Sequence, residues 1–126
     1  MDLAVKNLVL TYEVLANKAV KLNSSYLSLL KVYEQLNLEP LSLLLELEKK
    51  GNSPKQVISS LQRDQQRIID EFTQLAGLIN NAQLDFTNNP EAEQLSAIAH
   101  DCQIMKEFIS SIDLDDLQKM FNKLSN

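Results

Sequence analysis

Between Val5 and Leu36 the chain repeats one pattern without a break. Val5, Leu8, Tyr12, Leu15, Ala19, Leu22, Tyr26, Leu29, Tyr33 and Leu36 fall alternately three and four residues apart, with no Gly or Pro among or between them. At about 3.6 residues per helical turn, that spacing lines all ten along one side of a single helix. A stripe this long has to be covered by something, so the fold must supply matching helices. Val9, Ala16 and Leu30 flank the stripe, and Val20, Leu27 and Val32 lie elsewhere around the helix. This breadth suits the core of a bundle better than the narrow seam of a two-stranded zipper.

The rest of the chain supplies partners. The first helix is expected over residues 3–37, with Asn23-Ser24-Ser25 as its weak point, because such side chains compete for backbone hydrogen bonds. Pro40 ends it, and a short leucine-rich helix is expected over 41–50, closed by Gly51. Ser53 then reads as an N-cap, Pro54 as the first helical residue and Gln56 as the capping-box partner. From there Ile58, Leu61, Ile68, Phe72, Leu75 and Ile79 follow a heptad in which Gln65 is the one polar member. Asn80-Asn81 is expected to end that helix, with a loop over 82–89 and Leu84 and Phe86 turned inward. Asn89-Pro90-Glu91 starts another helix, whose stripe is Leu95, Ile98, Cys102, Met105, Ile109 and Ile112. Asp113 reads as the N-cap of a short last helix over 114–124, with Leu117, Phe121 and Leu124 on one face.

The expected fold is all-α: one elongated antiparallel bundle spanning residues 1–126, with three long helices, two short ones and coiled-coil-like packing. Only 6% of residues are aromatic against 44% hydrophobic, so the core is aliphatic, and Gly 2 with Pro 3 leaves little room for loops or sheets. One length does not match. A first helix of about 50 Å exceeds later ones of about 30–40 Å, so part of its stripe is expected to need the short helices or another chain.

Catalytic grammar is sparse. His100 is the single histidine, and Ala99-His100 on a helix of a small helical domain resembles the histidine phosphotransfer domains, which carry an exposed His on a bundle. That resemblance implies phosphoryl transfer at His100. Those domains place Lys three residues on with a small residue beside it, where this chain has Gln103 and Ile104. Cys102 occupies a core position of its heptad, which suits a small hydrophobe rather than a nucleophile. Asp113-Leu114-Asp115-Asp116 lacks the Gly and Glu of a calcium loop and is explained as a helix start. No cofactor, metal or phosphate-loop motif is found.

A net charge of −5, with lysines scattered among acids, argues against nucleic acid or an anionic membrane as partner. The first residues have neither the basic nor the apolar block of a secretory signal, and no apolar run is long enough for membrane insertion. With a lone cysteine, the expected setting is intracellular, cytoplasmic by default. The expected function is a non-enzymatic protein–protein interaction module, a subunit or adaptor of a larger complex that also self-associates as a homo- or hetero-oligomer. A small acidic export chaperone is the alternative, and phosphotransfer the remote one. Tyr12, Tyr26 and Tyr33 each carry a hydroxyl that wants water or a partner, which favours an interface. With Leu29, and with Leu41, Leu44 and Leu45 of the L-x-x-L-L segment, they form the expected partner-contact set.

Overall fold

A computed structural model describes residues 3–38, 53–85 and 91–124. Those residues fold into four helices with no strand among them: α1 (Leu3–Leu38), α2 (Pro54–Asp85), α3 (Glu91–Ser110) and α4 (Leu114–Leu124). The expected helix over 41–50, including Leu41, Leu44 and Leu45, lies outside the described residues.

Helix α1 is the 36-residue element that the apolar stripe demands. Asn23-Ser24-Ser25 does not interrupt it, because the core on either side holds the backbone helical. Leu22 and Leu29 are both buried around that triplet. Every stripe residue faces inward. Val5, Leu15, Ala19, Leu22, Leu29 and Leu36 are buried, while Leu8, Tyr12, Tyr26 and Tyr33 pack half-buried against them.

Helix α2 begins at Pro54, where the Val57 amide donates to the Ser53 carbonyl at 3.1 Å and closes the first turn. The sequence places its end at about Ile79, with weak helical character able to continue for several residues, and the helix does continue six residues further, to Asp85. Asparagine is only mildly unfavourable inside a helix, and no Gly or Pro follows until Pro90, so Asn80-Asn81 lacks the strength to end it. Residues 82–85 of the expected loop are therefore helical, and Phe86 lies outside the described residues.

Helices α3 and α4 are separated only by residues 111–113. The expected cap is present: Asp113 Oδ1 accepts from the Asp116 amide at 2.9 Å, and Asp115 and Asp116 sit at the electropositive start of α4. At the α3 end, the Ser111 hydroxyl donates to the Phe108 carbonyl at 2.6 Å. The joint is tied to the middle of α2. Gln65 Nε2 donates to the Ile109 and Ile112 carbonyls, both at 2.8 Å, and Gln62 Nε2 donates to Asp115 Oδ1 at 2.7 Å. The polar residue in the α2 heptad thus adds a second donor to two carbonyls that already accept from the Ile112 and Leu114 amides.

Contacts between helices fix the direction of each row. Tyr12 stacks on Phe72 with centroids 6.3 Å apart, Lys18 pairs with Glu71, and Leu22 and Ser25 share a groove with Leu61 and Asp64. Rising numbers on α1 meet falling numbers on α2, so these two are antiparallel. Gln65 lies beside Ile109, and Phe72 and Asp101 both lie near Tyr12, so α2 and α3 are antiparallel as well. On the other side of α1, Tyr12 lies near Asp101 of α3, and Tyr33 meets Phe121 of α4 edge-on at 5.8 Å. Helices α3 and α4 therefore follow one another along α1 and make one row. The described residues form three rows, and the length mismatch expected from sequence largely disappears. At 1.5 Å per residue, α1 is about 54 Å long and α2 about 48 Å, against about 30 Å for α3 with about 16 Å for α4 beyond it. The core cluster runs through all four helices, with Phe72, Ile79, Leu95, Cys102 and Ile109 fully buried.

Two substitutions test this arrangement. Gln65→Ala removes two side-chain hydrogen bonds from the α3–α4 joint but leaves each carbonyl its backbone partner, so it should lower stability by about 0.5–1.5 kcal/mol in urea unfolding. An unchanged midpoint would show that the joint holds without it. Gly77 sits on an exposed part of α2, and a Cβ added there meets nothing within 4 Å. Gly77→Ala should therefore raise stability by about 0.5–1 kcal/mol, seen as a higher melting temperature.

Candidate interaction surface

The apolar residues that the three rows leave uncovered lie mainly on α1. Leu10 and Val14 are 48% and 54% exposed, and Leu78 of α2, across the groove from them, is 57% exposed. Buried Leu15 and Leu75 form the floor between them, and the groove encloses about 490 Å³. A second hollow of about 300 Å³ continues along the same two helices, over the buried floor of Leu22, Leu61 and Ile68. The two share Lys18 and Glu71. Their ion pair, 3.6 Å long and largely exposed, contributes little to stability.

None of this surface belongs to the expected contact set. Leu29 is buried at 8% exposure, inside the monomer core. The three tyrosines are half-buried and turn their rings inward, Tyr12 onto Phe72 and Tyr33 onto Phe121, with Tyr26 packed against the core. A signal for the observed surface is present in the sequence. Leu3, Leu10 and Val14, spaced seven and four apart, make a second apolar line on the side of α1 away from the stripe. Leu3 is 72% exposed, as this placement requires. Val20 and Leu27 of α1, and Ile104 and Phe108 of α3, are also exposed.

The residues considered for chemistry do not converge. His100 is exposed on α3, whereas Cys102 is fully buried two residues on. Burial, with Asp101 adding to it, pushes the Cys102 thiol up to about 11, so it stays protonated and unreactive near neutrality. Burial likewise raises the Tyr12 phenol, helped by Asp101 and then Cys102. Among the described residues, no group of three or more His, Cys, Asp or Glu could hold a metal ion, and no helix is long and apolar enough to cross a membrane.

The fold and surface thus define an all-α protein of three helical rows with an apolar groove between two of them. No family model, curated protein or solved structure matches the chain.

The Cys102 environment makes a pH prediction. A thiol that holds its proton to higher pH in the fold than in the unfolded chain stabilises the fold fully below the unfolded value of about 8.5. That contribution is lost as pH rises from there through about 11. Urea unfolding should show a loss on the order of 2 kcal/mol between about pH 8 and about pH 11, with a shallower loss in Cys102→Ala. Equal slopes in the two proteins would remove Cys102 as the cause.

Proposed function

We propose that this chain is a non-enzymatic helical interaction module that binds protein partners through the groove between α1 and α2. The observation that carries this reading is the exposure of Leu10, Val14 and Leu78 around a preformed apolar floor. Large side chains held in water around a concave apolar surface gain free energy when a partner covers them. Self-association and service as a subunit or adaptor are both forms of this reading. The remaining members of the expected contact set, Tyr12, Tyr26 and Tyr33, support it from beneath by fixing α1 against its neighbours. A small acidic chaperone would use the same groove and differs in its client, an unfolded chain rather than a folded partner.

A photo-crosslinking amino acid placed at Val14 or Leu78 reads out any such partner in extract of the native cell. Discrete adducts are expected from both positions and not from Ser96, which is exposed on α3. Val14→Glu together with Leu78→Glu should weaken partner binding at least about tenfold, equivalent to about 1.4 kcal/mol, with helicity by circular dichroism unchanged. Adducts no stronger than those from Ser96 would overturn the reading.

A further inference from the structure

The two hollows between α1 and α2 form one trough, because Lys18 and Glu71 line both. On α1 it extends from Asn7 to Ser25, about 27 Å at 1.5 Å per residue. Its character changes along that length. At one end the rim sets exposed Leu10, Val14 and Leu78 among the uncharged Asn7, Thr11 and Gln74. Further along, the floor stays apolar, but the rim becomes Lys18, Lys21 and Arg67 against Asp64 and Glu71. Glu71 is taken by Lys18. Lys21 and Arg67 are exposed and have neither an ion pair nor a side-chain hydrogen bond among the described residues. This end of the trough thus carries three cations against two carboxylates, in a chain of net charge −5.

We propose that this trough docks an amphipathic helix from another protein, apolar at one end and acidic at the other. The proposal rests on the reading of this face as the interaction surface and names its occupant. A straight trough between two antiparallel helices accepts a third helix with anchors at i, i+3, i+4 and i+7, which would lie along it as an added row. Val14 and Lys21 are seven residues apart, so the partner's acids follow its apolar anchors by about two turns, roughly 10 Å. Carboxylates there meet Lys21 and Arg67, whereas lysines would meet like charge. A second copy of this chain fits less well. Two-fold pairing of the face on itself sets its free cations against one another or over the apolar rim.

The test uses the full chain and two fluorescein-labelled synthetic peptides of roughly 18 residues. Both carry leucines at i, i+3, i+4 and i+7 in an alanine-rich helix. One places glutamates two turns beyond the last leucine, and the other places lysines there. By fluorescence anisotropy the glutamate peptide should bind saturably and at least about tenfold more tightly than the lysine peptide. Added salt should narrow that difference. Lys21→Glu with Arg67→Glu should reverse the preference, and Leu78→Glu should weaken both peptides. Equal binding of the two peptides, or no reversal, sinks the acidic-helix proposal and leaves the interaction reading standing. If neither peptide binds while light scattering shows a dimer that Leu78→Glu disperses, a second copy fills the trough and the proposal is wrong. If neither peptide binds, the chain is monomeric and Leu78 yields no photo-adducts, both readings fail.

Discussion

A single side-chain amide ties the third row of this bundle to the second. Helices α3 and α4 lie end to end, and at the joint between them the Ile109 and Ile112 carbonyls accept from the Ile112 and Leu114 amides at 3.2 and 3.1 Å. Gln65 donates to Ile109 and Ile112 at 2.8 Å, from a heptad position that would otherwise hold an aliphatic side chain. Together with the Asp113 cap and the burial of Ile112, Leu114, Leu117 and Phe121, that register sets the direction of α4 and brings Phe121 to Tyr33. The cover over the far half of α1 thus combines apolar packing with one polar tie to α2. Half-buried Gln65 forgoes some apolar burial and in return finds two acceptors for its own amide, which would be costly to bury unpaired.

Much of this could be read in the sequence, and the reason is periodicity. The ten-residue stripe of α1 is fully inward, and the heptads of α2 and α3 name inward residues correctly, buried except for Gln65 and Met105, which are half-buried, because burial of an amphipathic helix depends mainly on spacing. The start signals were legible too, since Pro54 and Asp113 act through local chemistry. The end of α2 was not. Asn80-Asn81 resembles a cap, and only the absence of a stronger breaker before Pro90 lets the helix continue. The joining of α3 and α4 into one row was also hidden. Gln65 stood out as polar among apolar positions, but the carbonyls it would meet lie more than forty residues away in sequence.

The groove between α1 and α2 was the least legible part. The tyrosines drew notice because their hydroxyls are awkward in a closed core. Half-burial resolves that tension, with the Tyr12 and Tyr33 rings tilted or edge-on against phenylalanines inside and the side chains still partly in reach of water. Leu10, Val14 and Leu78 are ordinary apolar residues in one dimension. They become a surface only when α1 and α2 come together and leave a floor of Leu15 and Leu75 between them. Such a groove belongs to two helices at once, so no window along the chain displays it.

The row order also bears on how the chain reaches this structure during synthesis. Helix α1 is made before any of its cover, while α2 and α3 can pair as a hairpin across a short connection with little loss of chain entropy. The contact between Tyr33 and Phe121 closes a far longer loop and waits for α4. Until then the longest apolar stripe in the protein remains partly wet in the nascent chain, and a cell that makes much of it would rely on holding factors during that interval.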